Sequence, residues 1–394
     1  MRIEDFGAAG VARPWKLKYP LRETPHFTIE TNKTCNICCR SCYSSERSLV
    51  KSRAEIREEV GLALAKRKAG VVTLLGGEPT LHPELPAVVA DIKGRGLRCQ
   101  LLTNGIRFLE TGGDDLLGRL AASGLDRVLV HLDEGQAHVH PDLEAARRAV
   151  FEKLERRGLR FGLALTVYEG FQGRIPSLLR ANSSYRYFDG VLAVLARDPV
   201  RPEQTGPGLA HEYDSFRLEM AAAPSAYIPS NLDDGDVRWL VYFLFFNRRT
   251  GRSLILSPRL FGFLTRLHRI IRGRWLYAPF LSRAAVCPLA ILAVFAEAAG
   301  RTKALREAVS ILKRSGWGRD IGFGFAVIQT PPEFRDGGRE YVLCHACPDA
   351  TVRNGRLTPV CIADMINPLN GGIPPRDEAN RIRLRAAYGH LGEL

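Results

Sequence analysis

The chain has 394 residues, of which 45% are hydrophobic and 25% are charged. These proportions are ordinary for a globular protein and exclude a disordered or fibrous chain. The formal net charge of +14 favours an anionic partner, such as a nucleic acid, an acidic membrane surface or a phosphorylated substrate.

The amino terminus reads MRIEDFGAAG and carries no apolar segment followed by a small-residue cleavage site. We therefore expect a cytoplasmic protein. Nine cysteines in a reducing compartment are a poor basis for disulfides, and most of them cluster between residues 35 and 42 and between residues 344 and 361. This clustering favours metal or cofactor ligation.

Short apolar runs alternate with amphipathic stretches of helical length from about residue 26 to residue 196. The alternation predicts parallel strands joined by helices. The six runs are Phe27 to Glu30, Val71 to Leu75, Leu97 to Leu102, Val128 to Leu132, Phe161 to Val167 and Val191 to Leu195. We therefore predict an α/β fold in which residues 26–196, after an N-terminal extension of residues 1–25, form a partial (β/α)6 barrel of parallel strands. Sites of such folds lie at the carboxyl ends of the strands.

Helix signals agree with this interpretation. Ser52 followed by Glu55 forms a capping box at the start of one helix. Asp142 is placed to cap a second long helix that ends before Gly158. Both helices lie between predicted strands, as the barrel requires.

The alternation of apolar runs and amphipathic stretches ends after residue 196. Residues 197–236 are rich in proline and predict a linker with short local structure. Residues 237–321 are arginine-rich and apolar, and we predict a mainly helical segment there. Residues 322–394 form a small C-terminal region that carries the second group of cysteines.

Three cysteines follow the first predicted strand with the spacing Cys-x3-Cys-x2-Cys, at Cys35, Cys39 and Cys42. Three thiolates in one loop hold three irons of a [4Fe-4S] cubane and leave the fourth iron open. On spacing alone, a zinc site, a redox pair formed by Cys35 and Cys38, or unrelated buried thiols are equally good alternatives.

The second predicted strand is followed by Gly76-Gly77-Glu78-Pro79. The glycines let the backbone approach a ligand closely, and Glu78 is able to accept a hydrogen bond from an ammonium group. Alone, this tetrapeptide is more often an ordinary strand-to-helix turn. Its place one strand after the cysteine loop favours a shared ligand site.

Together with Thr103-Asn104-Gly105 after the third strand, these motifs resemble those of the radical S-adenosylmethionine superfamily, over about residues 20–196. The resemblance implies that Cys35, Cys39 and Cys42 bind a [4Fe-4S] cluster. It also implies that the open iron chelates the amino and carboxylate groups of S-adenosylmethionine. The cofactor-binding residues implied by the resemblance are Gly76, Gly77, Glu78, Pro79, Thr103 and Asn104.

Asp133 ends the fourth predicted strand, where the family often places ribose contacts, although a carboxylate at a strand end also serves as a helix cap. The chemistry implied by the resemblance is reductive cleavage of S-adenosylmethionine, followed by hydrogen abstraction from a substrate by the 5′-deoxyadenosyl radical. It requires a low-potential electron donor such as flavodoxin or ferredoxin. The protein positions and shields this chemistry.

The C-terminal cysteines are Cys344, Cys347 and Cys361. They predict an auxiliary [4Fe-4S] cluster, a structural zinc site with His345 as a candidate fourth ligand, or a CxxC pair without metal. The resemblance raises the first alternative, since many members of the family carry such a cluster. Cys287 is a remote candidate for the fourth ligand.

Residues 237–296 contain ten arginines and no Asp or Glu, interleaved with apolar and aromatic blocks. Within them, Leu260 to Ile271 predicts a basic amphipathic helix, which is more often a core-facing helix with a solvated side. The whole segment suits peripheral contact with the anionic inner face of the membrane. Its longest uncharged run, Ala284 to Ala296, is too short to span a bilayer.

From these patterns we expect an enzyme acting on a lipid or another apolar molecule with an anionic head. A peptide or an RNA substrate is the alternative, with nucleic acid ranked below lipid because the apolar blocks are long and continuous. A non-catalytic metal-stabilised adaptor for membrane or RNA ranks last, since it has no need for Gly76-Gly77-Glu78 beside the cysteine loop.

Overall fold

One mostly parallel sheet organises the protein and continues well past residue 196. In chain order its strands begin with β1 (Trp15–Lys16), at one edge. The computed structural model describes residues 1–6, 13–37, 39, 41, 42, 44, 48–196, 208–220, 222–251, 253–277, 320–335 and 340–366.

Six parallel strands form the first part of the sheet, each paired with the next in chain order. They are β2 (His26–Glu30), β3 (Val71–Leu75), β4 (Arg98–Thr103), β5 (Arg127–His131), β6 (Arg160–Val167) and β7 (Phe188–Leu195). Almost every residue of these strands is buried, as expected where helices cover a parallel sheet. The predicted α/β fold with a partial barrel of six parallel strands is confirmed.

Helices connect these strands and begin where the sequence places caps. The connecting helices are α1 (Arg53–Lys66), α2 (Leu85–Gly94), α3 (Ile106–Leu109), α4 (Gly113–Ala122), α5 (Leu143–Arg156) and α6 (Ile175–Asn182). The capping box of α1 is complete, since Ser52 and Glu55 each accept a hydrogen bond from the other's backbone N–H. Asp142 caps α5 by accepting from the N–H of Ala145 at 2.9 Å.

The segment after residue 196 contains more of the sheet than the sequence predicts. Residues 197–236, predicted as a linker, contain α7 (Leu209–Met220) and the sheet strand β8 (Ala226–Pro229). Residues 237–321, predicted as mainly helical, begin with the long strand β9 (Val237–Asn247) and the short strand β10 (Ser253–Ile255) before a helix follows, and residues 278–319 lie outside the described part of the chain. Every residue of β9 is buried, so it is apolar on both faces, and such a run carries no periodicity that separates a strand from a helix.

These strands extend the sheet of the barrel. The next strand, β11 (Ile321–Gln329), runs parallel to β7, while β9 is antiparallel to β11 and to β8. Among the described residues the strand order is β1-β8-β9-β11-β7-β6-β5-β4-β3-β2, with β10 attached to β9. Some side chains of β9 and β11 belong to the hydrophobic core of the barrel, and others on the same strands form a second buried cluster with Phe261.

The C-terminal region closes the gap between the two ends of this sheet. Its elements are the hairpin of β12 (Glu333–Arg335) and β13 (Glu340–Val342), the hairpin of β14 (Ala350–Arg353) and β15 (Arg356–Pro359), and α9 (Val360–Ile366). On one side the N–H of His345 donates to the carbonyl of Pro229 at 2.9 Å. On the other, the Arg67 guanidinium donates to the carbonyl of Cys347 at 2.6 Å.

The arginine-rich segment supplies both core and surface. Its aromatic side chains on β9 are buried in the core instead of facing a membrane; they are Trp239, Tyr242, Phe243, Phe245 and Phe246. Helix α8 (Pro258–Arg272) buries Phe261 and Thr265 and leaves Phe263, Ile270 and Ile271 exposed. The part of the chain that the structure describes contains no helix with the length and apolar character needed to cross a bilayer.

Candidate functional site

A cavity of about 400 Å³ lies inside the curved sheet, and both groups of cysteines reach its wall. The cysteines that line it are Cys35, Cys39, Cys42, Cys344, Cys347 and Cys361. The carboxyl ends of β2 to β5 supply one part of the wall, and the C-terminal region supplies another. Residues more than 300 positions apart in the chain therefore face a common space.

The loop that carries the first cysteines is closed at its base. The N–H of Lys33 donates to the carbonyl of Leu49 at 2.7 Å, and the N–H of Lys51 donates to that of Thr31 at 3.1 Å. The outgoing and returning chains thus pair beside the end of β2. Cys35, Cys39 and Cys42 are all partly exposed, as ligands that face a cavity must be.

Gly76 and Gly77 pack directly against the cysteine loop. A Cβ atom at Gly76 would lie 2.2 Å from the carbonyl oxygen of Asn32, and one at Gly77 would lie 2.2 Å from that of Thr34. The N–H of Gly77 donates to the Asn32 carbonyl at 2.8 Å. The close backbone approach that the sequence predicts is present, and here the approached group is the loop itself.

Glu78 joins the loops that follow β3 and β4. Its Oε1 accepts hydrogen bonds from the N–H and hydroxyl of Thr80 and from the hydroxyl of Thr103, and its Oε2 accepts from the N–H of Asn104 at 2.7 Å. Burial raises the pKa of the Glu78 carboxyl, and these hydrogen bonds oppose the rise. Since Oε2 has a single donor, it retains capacity to accept from a ligand.

The other two predicted residues of these loops take different positions. The Asn104 side chain donates to Oδ1 of Asn36 at 2.7 Å, which ties the loop after β4 to the cysteine loop. Thr103 and Asn104 both line the cavity. Pro79 is buried at the start of a short 3-10 turn, where its fixed φ is suitable, and is not among the lining residues.

The sequence predicts that Asp133 contacts the cofactor, but in the structure Asp133 does not line the cavity. It is fully buried, and its carboxylate accepts from the N–H groups of Gly135 and Thr166 and pairs with Nε2 of His131 at 2.7 Å. His131 is the residue of this strand end that lines the cavity. Side chains alternate along a strand, so Leu129 and His131 of β5 share the face that lines the cavity, and this spacing is the signal that sequence reasoning missed.

The His131–Asp133 pair favours its charged form. Burial disfavours both charges, but the attraction between them outweighs this cost, so the pKa of His131 is raised and that of Asp133 is lowered. The carboxylate also fixes the orientation of the imidazole ring. The arrangement presents an oriented imidazole to the cavity.

The C-terminal cysteines lie close to one another. The hydrogen bond with Cys344 and burial both raise the pKa of the Cys347 thiol, and burial followed by the nearby Cys344 and Asp349 raises that of Cys361. The Trp239 indole N–H donates to Sγ of Cys344 at 2.8 Å. A bound cation would offset the cost of ionising Cys347 and Cys361.

Neither cysteine group has the geometry of a single-ion site. Within the described ranges, no three Cys, His, Asp or Glu side chains converge to hold one metal ion. A cubane places its cysteine ligands on different irons, and therefore farther apart than ligands of one ion. His345 is not among the lining residues, and Cys287 and Cys38 lie outside the described residues.

The wall opposite the first cysteine group is largely apolar. Side chains from β8, β9, β11 and α8 form it, namely Ile228, Trp239, Val241, Phe243, Phe261, Phe325 and Val327. Deeper in the barrel, the Arg127 guanidinium pairs with Asp189 at 2.6 and 2.8 Å and is not free for an anion. The cavity thus has a polar end at the cysteine loop and an apolar wall built by the second half of the chain.

Comparison with known proteins locates the family. Residues 29–168 match the model of the radical SAM superfamily. The chain is 27% identical over 161 residues to the PqqA peptide cyclase of Xanthomonas campestris pv. campestris (strain B100), covering 38% of this chain and 42% of that protein. It is 23% identical over 215 residues to a probable GTP 3′,8-cyclase of Methanococcus maripaludis (strain C5 / ATCC BAA-1333), covering 52% and 68%.

Among solved structures, Streptococcus suis SuiB bound to its precursor peptide SuiA is similar with a TM-score of 0.41 and 16% identity, over 53% of this chain and 48% of that chain. The chain spans less than half the length of the peptide cyclase and of SuiB. The matched residues 29–168 include the first cysteine group, the Gly-Gly-Glu turn and His131. Residues 29–168 therefore form a radical S-adenosylmethionine domain, and the similarity to the two cyclases supports an enzyme of that superfamily.

Proposed function

We propose that Cys35, Cys39 and Cys42 hold a [4Fe-4S] cluster and that S-adenosylmethionine binds beside it, at the polar end of the cavity. The observation that carries the proposal is that the cysteine loop, the Gly-Gly-Glu turn and the loop after β4 pack together on one cavity. When bound, the cluster supplies the electron that cleaves S-adenosylmethionine to methionine and the 5′-deoxyadenosyl radical. A flavodoxin or a ferredoxin is the proposed source of that electron.

The residues present fit these groups. Three thiols on one loop provide the ligands of three irons. Oε2 of Glu78 lies in reach of the cavity with acceptor capacity for an ammonium group. His131, oriented by Asp133, lines the same space.

The proposed substrate is a lipid or another apolar molecule with an anionic head. The apolar wall formed by β8, β9, β11 and α8 supports this choice, since it faces the polar end across the cavity. A peptide is the second candidate, and the similarity to the PqqA peptide cyclase favours it. An RNA substrate ranks third. The hypothesis of a non-catalytic adaptor is set aside, because the radical SAM domain and the enzymes similar to this chain support an enzyme.

We propose that the C-terminal cysteines bind a second [4Fe-4S] cluster. The support is that all three line the wall of the same cavity, with the Trp239 N–H directed at one sulfur. Hydrogen bonds to cysteine sulfurs tune the reduction potential of a cluster. A zinc ion, the alternative that the sequence left open, needs ligands that converge on one point, and the described side chains do not provide them.

Helix α8 is the proposed contact with an anionic membrane surface. It carries Arg259, Arg266, Arg269 and Arg272 and no acidic residue. Its outer face exposes Phe263, Leu267, Ile270 and Ile271, whose exposed fractions range from 39% to 80%. Exposed apolar side chains flanked by arginines match the charge and polarity of an anionic lipid interface. Its inner face lines the cavity through Phe261, so the helix connects surface and cavity.

The test is anaerobic reconstitution with iron and sulfide, followed by an assay for 5′-deoxyadenosine after reduction with dithionite. Cys39→Ala is expected to reduce product formation at least about a hundredfold, because the cluster loses a ligand. Cys99→Ala is the matched control, since Cys99 is buried within β4, away from the cavity. Equal activity of wild type and Cys39→Ala would refute the proposal.

A second assay separates the substrate classes. S-adenosylmethionine cleavage is measured with anionic lipid vesicles, with peptides and with RNA, and deuterium transfer into 5′-deoxyadenosine identifies the molecule that loses hydrogen. The proposal predicts transfer from a lipid-soluble molecule. Transfer from a peptide alone would support the second candidate instead.

A further inference from the structure

Four buried charged side chains meet beside the cavity, and no sequence motif predicts them. They are Glu30, Lys33, Arg353 and Asp364, and none of these residues is more than 7% exposed. We call them the charge cluster. It contains two acids and two bases, so its formal charges cancel. Buried charges persist only when they are paired and hydrogen-bonded in this way.

Each cation of the charge cluster touches both carboxylates. Lys33 Nζ donates to the two oxygens of Asp364 at 2.7 and 2.9 Å and to Oε1 of Glu30 at 2.5 Å. Nη2 of Arg353 bonds to Oδ1 of Asp364 at 3.1 Å and pairs with Oε2 of Glu30. Removing one member therefore leaves an uncompensated charge in a buried site.

The charge cluster lies between the two cysteine groups. Lys33 is two residues before Cys35 in the cysteine loop, and its carbonyl oxygen lies 2.3 Å from the position of a Cβ at Gly77. Asp364 is three residues after Cys361 on α9, which places both on one side of that helix. The bond between Lys33 and Asp364 thus joins the bases of the two cysteine groups across 331 residues of sequence.

We propose that Lys33 is a positioning residue that couples the two cysteine groups, by holding α9 and Cys361 against the loop of Cys35, Cys39 and Cys42. This inference rests on the proposed function only in that both groups bind metal. Without Lys33, Glu30 and Asp364 share Arg353 alone, and the site carries a net negative charge. If α9 separates from the barrel, water solvates the unpaired carboxylate and removes the cost of burying its charge.

Other contacts keep the change local. Arg67 still donates to the carbonyl of Cys347, and His26 still pairs with Asp349 at 3.2 Å. The region after residue 340 therefore remains attached to the barrel when α9 separates. Loss of Lys33 is expected to change the neighbourhood of Cys361 without unfolding the protein.

The test compares Lys33→Met, Asp364→Leu and the double variant in the full chain. The double variant leaves Glu30 with Arg353, a neutral pair, so it is expected to restore the arrangement that either single change disturbs. Lys51→Met is the matched control. Lys51 makes a similar buried ion pair with Glu59 of α1 at 2.7 Å, near Glu30 and Arg353, but its side chain bonds to α1 and not to α9.

The first readout is the native-state alkylation rate of Cys361 measured by peptide mass spectrometry, which needs no bound metal. Lys33→Met is expected to raise this rate at least about tenfold, and Lys51→Met and the double variant are expected to leave it near the wild-type value. The second readout is the magnetic coupling between the reduced clusters in the reconstituted protein, which should weaken in Lys33→Met and in Asp364→Leu and stay near the wild-type value in the double variant.

An alkylation rate in Lys33→Met equal to that of wild type or of Lys51→Met would overturn the coupling. The two proposals fail separately. If wild type binds no metal at the C-terminal cysteines while Lys33→Met exposes Cys361, the second metal site is wrong and the coupling stands. If wild type is fully loaded and Lys33→Met leaves Cys361 and the magnetic coupling unchanged, the coupling is wrong and the metal site stands.

Discussion

The two halves of the cavity wall are built in different ways. In the half formed by β2 to β5, the residues at the site come from loops directly after strands, and their contacts are made by backbone atoms and short side chains. In the half formed by β8, β9, β11 and the C-terminal region, large apolar side chains and distant cysteines come together only when the sheet curves and closes.

This difference indicates that one half of the wall binds the cofactor and the other half selects the substrate. The first half offers fixed polar geometry around the cysteine loop, which suits a cofactor of constant shape. The second half offers a largely apolar wall from β8, β9 and β11, which suits selection among substrates. Changes in the first half are therefore expected to abolish cofactor chemistry, and changes in the second half to alter substrate use and stability in smaller steps.

The largest expected effect is at Gly77. Gly77→Ala places a Cβ 2.2 Å from the backbone oxygen of Thr34, and backbone cannot move aside cheaply. We expect a loss of several kcal/mol in unfolding free energy, on the order of 3 or more, together with loss of iron binding. Urea unfolding and iron content after reconstitution measure both. Gly94→Ala is the control, because nothing lies within 4 Å of its added Cβ.

A smaller effect is expected at Glu78. Both carboxylate oxygens of Glu78 accept hydrogen bonds, so in Glu78→Gln the new NH2 group would face another donor, either from Thr80 and Thr103 or from Asn104. We expect a loss of about 1–3 kcal/mol in unfolding free energy and weaker binding of S-adenosylmethionine, measured by calorimetry. Unchanged binding would show that the carboxylate serves only to join the two loops.

The ion pair at the end of β5 predicts a pH dependence. Folding raises the pKa of His131, so protonated His131 adds to the unfolding free energy. This contribution is complete below the pKa of the unfolded state, about 6.5, and is lost as the pH rises through the pKa of the folded state. Folding lowers the pKa of Asp133, so its contribution is present above the unfolded pKa of about 3.9 and is lost as the pH falls through the folded pKa.

Wild type should therefore exceed His131→Gln in unfolding free energy mainly between about pH 4 and 6.5, with the gap narrowing above that range. Urea midpoints measured across this range check the prediction. A constant gap at every pH would mean that the two side chains do not ionise as a pair.

The smallest effect on stability is expected on α8. Ile270 and Ile271 are 80% and 67% exposed, so replacing both with serine should change the unfolding free energy by less than about 0.5 kcal/mol. The same double variant should weaken sedimentation with anionic vesicles several-fold if α8 meets the membrane. Leu218→Ser on α7, where Leu218 is 75% exposed, is the matched control. An equal loss of vesicle binding in the α8 variant and in Leu218→Ser would argue against α8 as a specific membrane-binding surface.

The first half of the fold was predictable because its signals are local. The six apolar runs, the cap at Asp142 and the spacing of Cys35, Cys39 and Cys42 all lie within short windows of sequence. The motifs after β3 and β4 also predicted neighbours correctly, since Glu78 bonds to Thr103 and Asn104. Parallel strands bring such loops to one edge of a sheet without further information.

The second half was not predictable to the same degree because its contacts are distant. Strand β9 is buried on both faces, so its eleven residues show no alternation, and the arginines around it favoured a membrane segment over a core strand. The sequence left open whether Asp133 contacts a ribose or caps a helix, and in the structure it caps the short 3-10 turn after β5. The pairing of Lys33 with Asp364 depends on closure of the whole sheet.

The central claim is that the cluster site at Cys35, Cys39 and Cys42 binds S-adenosylmethionine. The most direct test is electron-nuclear double resonance of the reduced protein with S-adenosylmethionine labelled at its amino nitrogen and carboxylate oxygens. The account predicts hyperfine coupling to both labels in wild type and in Cys99→Ala, and none in Cys39→Ala. A reduced cluster in wild type that shows no coupling to either label would contradict it.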